Sequence, residues 1–219
     1  PVIDVIDNQN IDEDSFLSIE LSASDIDSEI LTFSSSVDGN ATSSVDGNIL
    51  NVIPNADFNG NITVTVNLYD GELTVSQDFT LTVNPVNDAP TVDDVSDTTA
   101  EDTAFVLQLN GTDIDGDELT FLASVAANGS ASVDGSTLTI APAENYNGTL
   151  IVTVTASDGQ ASGSGTLTLD VTPVNDAPVI IGLEDQTIDE DTSLTFDVNG
   201  LDVDGDNLTY SAINGDATI

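Results

Sequence analysis

Carboxylates are the residues of this sequence whose chemistry stands out. The chain carries 40 Asp and Glu but no Lys, Arg, His, Cys, Met or Trp. Without an imidazole, thiol or amine side chain, general-base and nucleophilic catalysis would depend on carboxylates, hydroxyls and amides alone. The absence of Cys and His also excludes disulfides and zinc–thiolate sites and disfavours the common transition-metal sites. Hard oxygen donors of this kind are the ligands that Ca²⁺ and Mg²⁺ prefer.

The acidic residues are concentrated in three windows. Residues 4–29, 88–118 and 176–206 hold 29 of the 40. Two carboxylates about 4 Å apart repel each other by roughly 4 kcal/mol at an effective dielectric constant of about 20, and no basic side chain can neutralise them. Either these groups stay apart in water, as acidic turns or a solvated acidic coat, or cations lie among them. The clustering favours bound cations.

An internal repeat of 88 residues organises these windows. Val-Asn-Asp-Ala-Pro occurs at 86–90 and 174–178. Glu-Asp-Ser/Thr recurs from Glu13, Glu101 and Glu190, and Asp-x-Asp recurs from Asp25, Asp113 and Asp202. Such periodicity is typical of tandem-repeat architectures. We predict a first repeat over 1–88, a second over 89–176 and the N-terminal part of a third over 177–219.

Each repeat is predicted to be all-β. Apolar and polar residues alternate with the period of half-buried strands, and Asp-Gly and Asn-Gly dipeptides that favour tight turns separate them. In the second repeat the predicted strands cover residues 105–110, 119–122, 137–140, 150–155 and 165–171. About seven short strands in 88 residues indicate an immunoglobulin-like sandwich. We therefore expect seven-stranded β-sandwich repeats arranged end to end.

Charge and hydropathy limit the partners. A net charge of −40 excludes electrostatic binding to nucleic acid or to an anionic membrane surface. No apolar run approaches the roughly 18 residues of a membrane span, so direct membrane insertion is not expected. The spacing of the acids also differs from that of an EF-hand loop, because one starting at Asp113 would place Glu118 where Gly is required. Metal ligands must therefore converge from separated segments.

The ordered motifs resemble those of cadherin repeats. Ala156-Ser-Asp158-Gly159, followed by a last strand and Val-Asn175-Asp176-Ala-Pro178, is similar to the end of a cadherin domain and its linker. Glu101 and Asp113-Ile-Asp115 before Leu-Thr-Phe121 are similar to the early Glu and the Asp-x-Asp motif. The chain most resembles the cadherin-like tandem repeats of large bacterial surface and adhesin proteins, in which the Val-Asn-Asp-Ala-Pro linker is typical.

The resemblance implies calcium ligands at each junction between repeats. For the first junction they are Glu13, Asn87, Asp88, Asp113, Asp115 and Asp158. For the second they are Glu101, Asn175, Asp176, Asp202 and Asp204. Asp25, Asp27 and Asp70 would serve a junction before Pro1, and Glu190 one after the last residue.

The sequence departs from the cadherin pattern at several ligand positions. Pro85 and Pro173 stand where the cadherin linker begins with an acid or amide, and the mid-domain Asp-Arg-Glu motif is replaced by Asp57-Phe-Asn-Gly60 and Asn145-Tyr-Asn-Gly148. The resemblance therefore implies one or two ions per junction rather than three. Asp117, Asp206 and Glu29 are the candidate substitutes.

Each candidate ligand also has a purely structural interpretation. Asp88 and Asp176 could begin turns before Ala-Pro, and Asp70 and Asp158 could be hairpin-turn residues. Glu13, Glu101 and Glu190 could be solvated strand edges. These alternatives remain open on the sequence alone.

The function expected from these features is a non-catalytic structural extender. It would belong to an extracellular or cell-surface adhesin, stalk or filament and be rigidified by Ca²⁺, with the neighbouring repeats of the same long chain as partners. The alternative is calcium-dependent homotypic adhesion or self-association into filaments. Carbohydrate binding ranks lower because aromatic residues make up only 5% of the chain. Catalysis ranks last because every acidic group recurs in each repeat, as a structural joint does and a unique active site does not.

Overall fold

The computed structural model describes residues 1–28 and 30–212. Strands and turns account for all regular structure there, and no helix occurs within those ranges. The chain divides into two compact units. The first comprises residues 1–88 with 114–116, and the second comprises 89–113 with 117–219.

The first unit is a β-sandwich. Its strands are β1 Val2–Ile3, β2 Gln9–Asp12, β3 Leu17–Glu20, β4 Ala23–Ser24, β5 Thr32–Val37, β6 Ala41–Asp46, β7 Ile49–Pro54, β8 Gly60–Tyr69 and β9 Thr74–Asn84. One sheet has the order β2-β9-β8-β5 and the other β3-β7-β6, while β1 pairs with β4. All pairings are antiparallel except that of β2, which runs parallel to β9. Seven strands therefore form the two layers.

Strict alternation builds the core of this sandwich. Along β8, Ile62, Val64 and Val66 are fully buried, whereas Thr63 between them is exposed. Since successive side chains of a strand point to opposite faces, this pattern gives one buried face and one solvent-exposed face. The buried face packs against Leu50 and Val52 of the opposite sheet.

The second unit repeats the same sandwich. Its strands are β10 Val95–Ala100, β11 Phe105–Gln108, β12 Thr120–Val125, β13 Gly129–Asp134, β14 Thr137–Pro142, β15 Gly148–Ser157 and β16 Ser162–Thr172. The sheets have the orders β10-β16-β15-β12 and β11-β14-β13, and β10 runs parallel to β16. Leu138, Ile140, Val152 and Leu169 are fully buried in its core.

The end of the second unit holds the start of the third repeat. Two short strands, β17 Val179–Ile181 and β18 Asn199–Leu201, pair antiparallel there. Apolar side chains such as Val179 and Phe196 remain about half exposed in this region. Residues 213–219 of the predicted third repeat lie outside the described residues.

The predicted all-β sandwich fold is confirmed, although the strand prediction for the second repeat was incomplete. Each of the five predicted strands overlaps an observed one, and β15 and β16 are longer than expected. β10 and β13 were missed. Their sequences, Val-Ser-Asp-Thr-Thr-Ala and Gly-Ser-Ala-Ser-Val-Asp, are polar and small, so strand propensity is weak and pairing with a neighbour defines them.

The described residues contain no helix long and apolar enough to cross a membrane.

Candidate metal centre

A buried glutamate follows the first sheet strand of each sandwich. Glu13, after β2, is only 4% exposed, and Glu101, after β10, is only 3% exposed. Backbone pairing fixes both residues, since the Glu13 N–H donates to the Asn84 carbonyl and the Glu101 N–H to the Thr172 carbonyl, each at 2.9 Å. The two glutamates therefore hold equivalent, preset positions.

The side chains of these glutamates hold the segment that follows the last strand. Glu13 Oε1 accepts the Val86 N–H at 2.5 Å, and Glu101 Oε1 accepts the Val174 N–H at 2.6 Å. The Oε2 atoms accept the side-chain amides of Asn59 and Asn147, each at 3.4 Å. The interpretation of these glutamates as solvated strand edges does not fit this burial.

The first unit gathers three carboxylates around the linker. Oxygens of Glu13, Asp88 and Asp115 lie within 4.8 Å of one another. Asp115 Oδ2 accepts the Asp88 backbone N–H at 2.8 Å, which brings the two residues together. All three were predicted from the sequence as ligands of one site.

Asp88 also belongs to a second group that the sequence analysis missed. Oxygens of Asp14, Asp57 and Asp88 lie within 4.8 Å of one another. Asp14 and Asp57 both have positive φ, 59° and 56°, and Asp14 Oδ1 accepts the Asp57 N–H at 3.4 Å. The signal available was the acid that follows each predicted Glu ligand in the Glu-Asp-Ser/Thr motif.

The second unit reproduces the first of these groups. Oxygens of Glu101, Asp176 and Asp204 lie within 4.8 Å of one another, and Asp204 Oδ2 accepts the Asp176 N–H at 2.7 Å. Asp176 Oδ2 is buried and has no hydrogen-bond partner among the residues that the structure describes. A buried polar oxygen without a partner is costly, so this atom is where a cation would be most stabilising.

Burial and charge crowding raise the pKa of both linker aspartates. For Asp88, desolvation raises the pKa first, and the carboxylates of Asp57, Asp14, Asp115 and Glu13 raise it further. For Asp176, desolvation again comes first, followed by the carboxylates of Asp102, Asp204, Glu101 and Asp202. Both residues lie where negative charge is unfavourable in the absence of a cation.

A further pair of acidic residues, Asp25 and Asp70, contacts the terminal amine of the chain. The Pro1 nitrogen lies 2.7 Å from Asp25 Oδ2 and 3.7 Å from Asp70 Oδ2. Hydrogen bonding to this amine lowers the pKa of Asp25, whereas the pKa of Asp27 is raised because Asp27 hydrogen-bonds to Asp25 and is repelled by it.

Asp70 and Asp158 cap hairpin turns. Asp70 Oδ1 accepts the N–H groups of Glu72 and Leu73, at 2.8 and 2.7 Å, which lowers the Asp70 pKa. Asp158 Oδ1 accepts the N–H groups of Gln160 and Ala161, both at 2.6 Å. One carboxylate oxygen of each residue therefore stabilises its turn by accepting backbone hydrogen bonds.

The Asp-x-Asp segments fold into similar local turns. Asp25 Oδ1 accepts the Asp27 and Ser28 N–H groups, and Asp202 Oδ1 accepts those of Asp204 and Asp206. Asp113 Oδ1 accepts the Asp117 N–H at 3.2 Å. Asp117 and Asp206 lie exposed in these turns.

The remaining predicted ligands are placed as follows. The side-chain amides of Asn87 and Asn175 donate to the carbonyls of Asp88 and Asp176, both at 2.9 Å. Glu190 is exposed, unlike its equivalents Glu13 and Glu101. Glu29 lies outside the described residues.

The donor set fits a hard divalent cation. Every group named in the three clusters offers a carboxylate oxygen, and no nitrogen or sulfur ligand is present in the sequence. Ca²⁺ takes six to eight oxygen ligands at about 2.3–2.6 Å, whereas zinc and copper favour nitrogen or sulfur. The buried Asp176 oxygen and the raised pKa of Asp88 agree with this choice.

Comparison with known proteins gives one family match. The family model described as Bacterial Ig domain matches residues 1–83 and again 87–172. No curated protein matches the chain.

Solved structures resemble the chain only weakly. Drosophila N-cadherin EC1-4 is 16% identical over 80% of this chain and 49% of that chain, with a TM-score of 0.37. An endo-fucoidan hydrolase of glycoside hydrolase family 107 is 19% identical over 77% of this chain, with a TM-score of 0.34. The titin domains Z1Z2 in complex with telethonin are 15% identical over 77% of this chain and 93% of that chain, with a TM-score of 0.30.

The chain spans about a third or less of the length of the endo-fucoidan hydrolase chains that it resembles. It covers 27%, 28% and 33% of the three endo-fucoidan hydrolase chains. Structural similarity at these identities and TM-scores does not indicate a ligand or an activity for this chain.

Proposed function

Because the chain belongs to the bacterial Ig domain family, we propose that it is a non-catalytic extender of an extracellular adhesin, stalk or filament, stiffened by Ca²⁺. One observation carries the proposal. In each unit a buried glutamate and the linker aspartate, Glu13 with Asp88 and Glu101 with Asp176, converge with a further aspartate in a chain without any basic side chain.

Calcium supplies positive charge to these carboxylates. Without it, burial of Asp88 and Asp176 disfavours their charged form and the carboxylates around them repel them, which together raise their pKa values. Extracellular modules often bind Ca²⁺ with a Kd of about 10⁻⁴–10⁻³ M, a range that suits calcium levels outside cells. A surface location and calcium-dependent stiffness therefore belong together in this proposal.

The linker is the element on which the ion would act. Glu13 holds the Val86 N–H, and the segment from Pro85 to Pro90 is restricted by its two prolines. In the proposal, repeats 1–88, 89–176 and 177–219 are joined by linkers of the Val-Asn-Asp-Ala-Pro type. Each site combines, in sequence order, the glutamate of one repeat, the linker aspartate and the Asp-x-Asp segment of the next, so that occupancy restrains the linker.

The neighbouring repeats of the same long chain are the proposed partners. Because the group of Glu13, Asp88 and Asp115 recurs in the second repeat and no imidazole, thiol or amine side chain is present, we assign the clusters to structure and not to catalysis.

Small-angle X-ray scattering tests this function directly. We expect the maximum dimension of the full chain to increase, and its distribution of distances to narrow, when a chelator is replaced by millimolar Ca²⁺. The variant Asp88→Asn with Asp176→Asn should lose most of this response. A matched control, Asp46→Asn with Asp134→Asn, changes exposed aspartates at equivalent hairpin ends and should respond like the parent chain. Identical scattering with and without Ca²⁺ would refute calcium-dependent stiffening.

A further inference from the structure

One outer strand of the second sandwich carries no charge. β12, Thr120–Val125, lies at the end of its sheet, and among the described residues it pairs with β15 on one side and with no strand on the other. No Asp or Glu occurs from residue 119 to residue 133, which is the longest stretch without an acid in this chain of 40 acidic residues. Since the N–H and C=O groups on the outer side of an edge strand can pair with another chain, β12 is open to strand addition.

Most other edge strands of the two sandwiches carry an acid. β2, β3 and β10 contain Asp12, Glu20 and Asp97. β6 and β13 end at Asp46 and Asp134. β11 has no charge but is only four residues long. Charged side chains on an edge strand oppose pairing with a second chain, so β12 lacks a protection that most of the other edges have.

The equivalent edge strand of the first repeat, β5, is more polar. At the 88-residue offset, Ser34 of β5 corresponds to Leu122, whose side chain is 74% exposed. Asp38, the residue that follows β5, corresponds to Ala126. Both positions are exposed in both repeats, so neither difference is required by the core. The sequence of β12, Thr-Phe-Leu-Ala-Ser-Val, has no charge, Pro or Gly, which is the composition of segments that pair between chains.

The outer face of the sheet also keeps its acid away from this edge. In the first sandwich, Asp78 of β9 lies in a row of paired residues that reaches β5. Thr166 takes that place in the second sandwich. Asp170 is the one acid that β12, β15 and β16 contain, and it pairs with Thr149, which has no partner in β12. A second chain pairing with β12 would therefore meet little negative charge.

We propose that β12 pairs antiparallel with β12 of a second copy of this chain, so that two four-stranded sheets join at their edges. Charge favours this partner over others. Two copies with a net charge of −40 each repel one another least where both edges are uncharged, and an uncharged strand gives no specific attraction to a basic partner. The pairing uses no residue of the carboxylate clusters, so it stands or fails independently of the calcium function.

The burial pattern of β12 sets the register of the pair. Leu122 and its alternate neighbours face solvent, whereas Phe121 and Ala123 pack against the core. Residues directly opposite in an antiparallel pair lie on the same face of the sheet, and a slip by one residue would turn the core residues outward. Leu122 opposite Leu122 of the second copy satisfies this condition and covers the exposed leucine of the strand.

Association through one strand should be weak and should depend on salt. A pair of six-residue strands is far smaller than a standard interface, which buries about 1,600 Å² in total. The remaining repulsion between two acidic copies is screened over a Debye length of about 30 Å at about 0.01 M salt and about 8 Å at about 0.15 M. We therefore expect dimers to become more abundant as NaCl is raised over this range.

Disulfide crosslinking of single-cysteine variants tests the pairing in the full chain. The sequence has no Cys, so one introduced thiol can form a disulfide only with that of another copy. Leu122→Cys should form linked dimers about tenfold faster than Ser34→Cys, because the pairing brings the two substituted positions near the Cβ–Cβ distance of a disulfide, about 3.8 Å. Ser34→Cys is the matched control, since it places an exposed thiol at the equivalent position of β5.

Two substitutions at Ala126 separate charge from size. In Leu122→Cys, the further change Ala126→Asp restores the acid of the first repeat and should lower the crosslinking rate to that of Ser34→Cys. Ala126→Asn has nearly the same shape without the charge and should leave the rate unchanged. Sedimentation equilibrium of chains that carry only the change at Ala126 checks the same ranking without a thiol. Both measurements are made with a chelator and with Ca²⁺, and the ranking should be the same.

Four results would overturn the proposal. Two of them are equal crosslinking rates for Leu122→Cys and Ser34→Cys, and equal rates for the Asp and Asn substitutions at Ala126. A parent chain that sediments as a monomer at the highest soluble concentration in about 0.15 M NaCl, where repulsion is screened, is the third. Self-association that persists in Ala126→Asp is the fourth, because it would place the contact on another surface.

Discussion

Glu101 illustrates how this chain keeps carboxylates in its interior without basic partners. The side chain accepts the Val174 N–H and the Asn147 amide, so hydrogen bonds replace part of the lost hydration. Two further carboxylates nevertheless converge on it. At the scale of single residues, hydrogen bonding therefore accounts for the position of Glu101, and the proposed cation would account for the carboxylates beside it.

Replacing Glu101 with Gln separates these two roles. Gln can still accept the Val174 N–H, but its NH2 group replaces the oxygen that accepts the Asn147 amide, so the metal-free chain should lose at most about 1 kcal/mol of its free energy of unfolding. Stabilisation by Ca²⁺ should fall, by up to about 2.7 kcal/mol at a concentration about 100 times the Kd. Thermal unfolding with and without Ca²⁺ measures both. The control Glu144→Gln, exposed in the same sandwich, should respond to Ca²⁺ like the parent chain. Full calcium stabilisation in Glu101→Gln would remove this residue from the site.

The raised pKa values of Asp88 and Asp176 predict the pH dependence of the metal-free chain. A carboxyl group whose folded pKa lies above its ordinary value of 3.8 binds its proton more tightly in the folded state. Its contribution to stability is therefore complete below pH 3.8 and is lost as the pH rises through the folded pKa. Asp25 and Asp70, whose pKa values are lowered, act in the opposite direction, but in a window below 3.8.

The melting temperature without metal should thus rise as the pH is lowered from 7 towards 4.5. With Ca²⁺ present it should fall over the same range, because protons compete with the ion for the same oxygens. Calorimetric scans at a series of pH values test both signs. Parallel curves with and without Ca²⁺ would contradict ion binding at these aspartates.

At the scale of secondary-structure elements, the segment from Pro90 to Val92 packs closely against two glycines of β16. A Cβ added at Gly163 of β16 would lie 1.7 Å from the Pro90 carbonyl oxygen, and one at Gly165 would lie 2.6 Å from the Val92 carbonyl oxygen. The chain after the linker therefore lies directly on β16. The first unit has Val75 and Gln77 at the equivalent positions, so this close approach belongs to the second unit.

Gly163→Ala should consequently displace the segment from Pro90 onward. We expect a loss of about 1–3 kcal/mol in the free energy of unfolding, the usual cost of overpacking. Urea unfolding of the full chain measures it. Ser162→Ala, at the exposed neighbouring position on the same strand, is the control and should change stability little. Equal stability of the two variants would mean that the segment does not lie on β16.

The sequence predicted the strands whose alternation is strong and missed those defined by pairing. β15 and β16 each carry three buried Val or Leu residues at alternate positions, whereas the inward face of β13 offers only Ala131 and Val133 beyond its glycine. The convergence of Glu13, Asp88 and Asp115 was predicted because repetition and family resemblance both pointed to those residues. Asp14 and Asp57 were missed because their proximity depends on two residues with positive φ, which residue types alone do not specify.

For the whole molecule, the charge distribution is the central physical problem. A net charge of −40 with no basic side chain excludes internal ion pairs other than those of the terminal amine. Self-repulsion of this size favours solubility and opposes compactness. In our proposal, divalent ions at the repeated clusters relieve the repulsion where it is greatest, whereas an evenly solvated acidic coat would leave Asp176 Oδ2 buried and unbonded.

Anomalous X-ray scattering from crystals grown in millimolar Ca²⁺ tests the ion sites most directly. The account predicts a calcium peak about 2.3–2.6 Å from oxygens of Glu13, Asp88 and Asp115, and a second at Glu101, Asp176 and Asp204. Well-ordered clusters without anomalous density, with their carboxylates turned apart into solvent, would contradict it.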